Sequence, residues 1–129
     1  MLEKSTENKL KGELRALQML CHPYIIKAKQ SWFLKTGQLH NVMELADKRD
    51  LRAYMKKLND NDGKKELFIM KPDHILRLFT QLLLALEQAH SQFIVHRNMS
   101  NLHVFLKEDK NPDGPGISVL LGNFGNAKV

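Results

Sequence analysis

Val95-His96-Arg97-Asn98-Met99-Ser100-Asn101-Leu102-His103-Val104-Phe105-Leu106, followed twenty residues after His103 by Asn123-Phe124-Gly125, is where this chain says most about its architecture. The first run passes from a polar stretch into a short apolar one. The apolar runs Val104 to Leu106 and Ile117 to Leu121 bracket Lys107 to Gly116, which is polar and rich in proline and glycine. Two β-type runs around such a segment are predicted to pair as a hairpin, which then feeds into Gly122-Asn123-Phe124-Gly125.

Working outward, Leu10, Leu14, Leu17 and Leu20 recur at three- and four-residue spacing, which predicts an amphipathic helix from Ser5 to about Leu20 with Ser5 or Thr6 as its cap. His22-Pro23 ends it, because a residue before proline is pushed out of helical geometry. Tyr24 to Leu34 and Gln38 to Glu44 flank Lys35-Thr36-Gly37 and are predicted to form a first hairpin. Asp50 is placed to cap a short helix from Leu51 to about Lys57, and Asn59-Asp60-Asn61-Asp62-Gly63 is dense in turn formers. Pro72 suits the first turn of a long helix whose apolar face, including Ile75, Leu76, Phe79, Leu82, Leu83, Leu86 and Ala89, is expected to be mostly buried. The order helix, hairpin, helix, helix, hairpin makes this an α+β chain with no internal repeat.

Composition sets the outer limits. At 129 residues, 43% apolar and 26% charged, the chain is expected to hold one domain, neither disordered nor membrane-spanning. The first residues are charged throughout, without the apolar core of a signal peptide, so a cytoplasmic location is expected. Cys21, the single cysteine, has no disulfide partner and is expected to be a small core residue in a reducing compartment. A net charge of +6 raises the question of nucleic acid. The basic residues are scattered with few aromatics between them, so a solvated basic surface is expected instead.

The stretch from Val95 to Leu106 resembles the protein kinase catalytic loop HRDLKPEN and the strand after it, and Asn123-Phe124-Gly125 stands in the place of DFG. Val42-Met43-Glu44-Leu45-Ala46-Asp47-Lys48-Arg49-Asp50-Leu51 resembles the gatekeeper and hinge segment VMEYxxGGDL, and Glu13 precedes Pro23 by ten residues, as the glutamate of the family's αC helix does. The resemblance covers the whole chain and is nearest to the NIMA-related (Nek) serine/threonine kinases. It implies a partial protein-kinase-like fold: αC helix, β4–β5 hairpin, hinge, αD and αE helices, catalytic loop and β7–β8 hairpin. Residues 1–129 would form a single partial domain, with about 1–46 an N-lobe remnant and hinge and about 47–129 the start of a C-lobe. Met43 would be the gatekeeper, and Leu17, Ala28, His96 and Phe124 would fall on the regulatory spine. Met43, Glu44, Ala46 and Phe105 would line an adenine pocket.

Kinases work by positioning and charge stabilisation, through a lysine paired to the αC glutamate, metal-binding Asp and Asn residues, and an Asp that accepts the substrate hydroxyl proton. At the matching positions Asn98 replaces the catalytic Asp, and a neutral carboxamide is no general base, a role worth roughly 10²- to 10⁴-fold in rate. Ser100 stands where a lysine would offset phosphate charge. His103 replaces the metal-binding Asn and Asn123 the DFG aspartate, and Mg²⁺ prefers hard oxygen ligands. No G-x-G-x-x-G and no VAIK-type lysine strand occurs in these residues to serve Glu13. The resemblance therefore implies a pseudokinase that acts by binding a protein partner. No catalytic residue is expected intact, no metal site, no nucleic acid, no membrane, and no cofactor beyond weak ATP and Mg²⁺.

Two other outcomes follow from the same residues. One is a residual serine/threonine kinase in which other groups supply the missing charge, and the other is a fragment without independent function. Asn98, Ser100 and Asn123 have a plainer role open to them, holding the loop by side-chain hydrogen bonds. Glu13 is equally placed to be a surface residue near Lys9 or Lys11. Asn98-Met99-Ser100 matches a glycosylation sequon and Leu58 to Ile69 part of a calcium-loop register, but neither has the setting or the end carboxylates it needs. His90, His96 and His103 lack zinc-ligand spacing.

Overall fold

The computed structural model describes residues 4–60, 70–111 and 113–128. The first helix, α1, covers Lys4–Met19. Its inward face buries Ala16 and Leu17, with Leu20 buried just past its end, and its outer face carries a Glu7–Lys11 ion pair at 2.6 Å. Ser5 and Thr6 lie inside the helix, so neither is its cap. Cys21 is exposed, contrary to the core position expected for it. It sits just past the helix end, where Leu20 and Ile25 already fill the interior.

Past Pro23 the chain joins a strand that comes much later in sequence. Ile26 N–H donates to the Leu121 carbonyl at 2.9 Å and Leu121 N–H to the Tyr24 carbonyl at 2.8 Å. Strands β1 (Ala28–Phe33) and β2 (Leu39–Met43) then pair antiparallel from Ala28 with Met43 to Phe33 with Leu39. The reversal needs a positive φ, and Gly37 supplies it at 84° without a Cβ penalty.

Helix α2 covers Leu51–Asp60 and starts as the sequence requires, with Ala53 N–H donating to Asp50 Oδ1 at 2.8 Å. It takes in Asn59 and Asp60, which had the composition of a turn. The rest of that turn run, residues 61–63, lies outside the described residues. Helix α3, Pro72–Ser91, is less buried than its composition suggests. Only Leu78, Gln81, Ala85 and Ala89 are buried, while Leu76, Phe79 and Leu83 are 62%, 55% and 49% exposed. Its apolar face is wider than the strip that the second hairpin covers.

That hairpin pairs β3 (Val104–Glu108) with β4 (Ile117–Leu121), Val104 opposite Leu121 and Glu108 opposite Ile117. Every residue of β4 is buried. Gln81 of α3 reaches it through Oε1, which accepts the Val119 N–H at 2.9 Å. One core cluster joins α1, Ile25, the end of α3, Ile94, Leu121 and Phe124; a second joins Leu78 to both strands of the hairpin. Among the described residues no helix is long and apolar enough to cross a membrane.

Candidate functional site

The run from His96 to His103 and the Asn123 turn are held together at their outer ends. Val95 and Lys128 exchange backbone hydrogen bonds at 2.9 and 3.0 Å, closing the site on one side. Just inside this bridge His96 is buried, with 1% of its surface exposed. Its Nε2 lies 2.8 Å from the Gly122 carbonyl, which only accepts, so Nε2 carries the proton. Its Nδ1 accepts from the Asn98 N–H at 3.2 Å and is therefore bare. Both nitrogens are satisfied in the neutral ring, which stands edge-on to Phe124 at 4.8 Å between centroids. Burial holds the His96 imidazole below the usual histidine range; the Gly122 bond opposes this and neighbouring His103 adds to it.

His103 fixes the other end of the loop. Its Nδ1 donates to the Asn98 carbonyl at 2.6 Å and lies 3.3 Å from Ser100 Oγ, and its own carbonyl accepts the Gly122 N–H at 3.1 Å. Ser100 Oγ also accepts the Leu102 N–H at 3.3 Å, so this hydroxyl does brace the turn. Among the described residues, Asn98 and Asn123 do not do so with their side chains. Asn98 is anchored through its own N–H and carbonyl. Asn123 sits in the left-handed region at φ 57°, where asparagine is better tolerated than most residues, and its side chain caps nothing. His96 and His103 are the other bracing side chains, and nothing in the sequence separates that role for His103 from the metal position the resemblance assigns to it.

The spine positions come together. Leu17 and Phe124 share one core cluster, Ala28 packs on its border, and His96 meets Phe124. Glu13 is half-buried on α1 with a carboxylate oxygen 3.3 Å from where a Cβ on Gly125 would lie. Lys11 is taken up by Glu7, and Glu13 has no ion pair among the described residues. Burial pushes its carboxyl above the ordinary value of 4.5. The hinge residues are more dispersed. Glu44 turns back on β1, its Oε1 accepting the Lys27 N–H at 2.7 Å while its N–H donates to the Lys27 carbonyl. Met43 is 42% exposed, and the Ala46 carbonyl closes a turn with the Arg49 N–H. Phe105 lies against Gly122, where a Cβ would come within 2.8 Å of its ring.

At the positions where kinases hold Mg²⁺, this site therefore offers an imidazole and a carboxamide, with no carboxylate, and Mg²⁺ takes hard oxygen ligands. That donor set does not fit the ion. Among the described residues no group of three His, Cys, Asp or Glu side chains is placed to hold a metal.

The protein kinase domain model matches residues 1–129. The chain is 33% identical over 117 residues to serine/threonine-protein kinase Nek1 of Mus musculus, covering 91% of this chain and 8% of that protein. It is 34% identical over 119 residues to Nek5 of Homo sapiens, covering 92% and 15%, and 29% identical over 134 residues to human Nek2, covering 99% and 27%. The chain thus spans about a quarter or less of the length of these relatives. With helices and small antiparallel sheets in the order the motifs imply, and with the family model matched from end to end, the chain belongs to the protein kinase domain family.

Proposed function

We propose that this chain is a catalytically silent kinase-like module that acts by binding a protein partner. The observation that carries the proposal is the state of Asn98. Its main chain is fixed by His96 and His103 in the place of the catalytic loop, yet its side chain is an amide with no proton-accepting capacity at neutral pH. Ser100, His103 and Asn123 support it, because none restores the cationic and metal-bound charge that phosphoryl transfer needs. A phosphotransfer assay with Mg²⁺ or Mn²⁺ tests it. No turnover above background is expected, and turnover that disappears in Asn98→Ala overturns the proposal.

A residual kinase is the second reading, favoured by Leu17 and Phe124 sharing one core cluster, with Ala28 packed against that cluster and His96 against Phe124. It requires a nucleotide at Met43, Glu44, Ala46 and Phe105. Thermal shift with ATP, alone and with metal, separates the two: a saturable, metal-dependent rise supports the kinase, and no shift supports the silent module.

A further inference from the structure

A cleft of about 790 Å³ lies away from the catalytic loop, between the turn at residues 47–49, the outer half of α2 and the tip of the second hairpin. Its rim carries Lys48, Arg49, Lys56 and Lys57, against two carboxylates, Asp47 and Asp60. One of those carboxylates is already engaged. Asp47 accepts the Glu108 N–H at 2.9 Å and sits 3.6 Å from the Lys48 ammonium, and the Glu108 bond holds its carboxyl below the usual range. Arg49, Lys56 and Lys57 form no ion pair among the described residues.

Like charges gathered in one concavity repel each other and draw in an anion. The backbone fixes where they stand. Arg49 is held at φ 66° between the Ala46 carbonyl, which accepts its N–H, and Leu106, whose N–H donates to its carbonyl at 2.8 Å. The lining is not purely ionic, since the half-buried Tyr54, Leu58 and Pro115 contribute apolar surface. A cleft with a cationic rim and apolar patches matches a peptide in which acidic and apolar side chains alternate. It matches a nucleic-acid strand poorly, because the cations ring one cavity instead of following a track with successive stacking rings.

We infer that this cleft receives an acidic, leucine-type segment of a partner protein, an inference that rests on the binding-module proposal and names the chemistry of its partner. The test is fluorescence anisotropy of a labelled Glu/Leu peptide titrated with the full chain at low and raised salt. Binding that weakens with salt is expected, and Lys56→Glu/Lys57→Glu should weaken it about tenfold or more. Lys27→Glu/Lys29→Glu, an equal charge change at exposed positions outside the cleft, should leave it within about twofold. Arg49→Gly provides a second variant that suits the positive φ and removes one rim charge without reversing it. Equal loss in both lysine pairs, no binding by the peptide, or displacement of the peptide by a single-stranded oligonucleotide at comparable concentration overturns the inference. If the peptide fails while phosphotransfer stays silent, only this inference falls; Asn98-dependent turnover removes the binding-module proposal instead.

Discussion

His96 shows how one side chain ties the loop to the turn. Its neutral ring bonds Gly122 on one side and Asn98 on the other, and a second ring proton would set two N–H donors against each other at Nδ1. Its folded-state pKa lies below 6.5, so the folded chain binds fewer protons than the unfolded chain between those two values. The stability it contributes is full above pH 6.5 and is lost as pH falls through the folded value. Denaturant melts across that window should show this loss in the parent, and His96→Asn should flatten it. Glu13 has the opposite sign. Its folded pKa is raised, so its contribution is full below 4.5 and is lost as pH rises through the folded value. Glu13→Gln is expected to raise the melting temperature at pH 7, with the gain vanishing below about pH 4.5. An unchanged melting temperature at pH 7 would show that the carboxylate is solvated well enough to bear no cost.

Among the elements, α3 and β4 depend on a contact that hydropathy hides. Gln81 interrupts an apolar face, yet its side-chain carbonyl is the partner of the buried Val119 N–H. Gln81→Leu satisfies the apolar pattern and should still destabilise by about 1–3 kcal/mol, because that N–H is left without an acceptor. Chemical denaturation reads this directly; a neutral or stabilising result would mean that strand β4 finds another partner. The start of α2 is simpler. Asp50→Ala removes the bond to the Ala53 N–H and is expected to cost about 1 kcal/mol, with Asp50→Ser recovering most of it. Boundaries were legible wherever a local residue sets them, at Asp50, Pro72 and Gly37. They were missed at the end of α2, where the helix continues through Asn59 and Asp60 although both are common in turns.

For the whole molecule, the two core clusters meet the order of elements that the motifs imply, and they leave large apolar side chains uncovered. Trp32, Phe33, Val42 and Met43 on the first hairpin and Leu76, Phe79 and Leu83 on α3 are each about 40% exposed or more. Spacing along the chain marks Leu76, Phe79 and Leu83 of α3 as inward-facing, but a periodic pattern shows only that one face of an element is apolar. Which part of that face is covered depends on what packs against it, and for α3 that is a single strip along β4. The sequence by itself determined the helices, the hairpins and the chemical identity of the site, because caps, turns and motif residues act through neighbours along the chain. Only the tertiary structure decided that Cys21 faces out, that Gln81 is a strand's partner, and that His96 and His103 share Asn98 and Gly122. Those outcomes depend on groups distant in sequence meeting at hydrogen-bond range, and spacing along one chain carries no record of them.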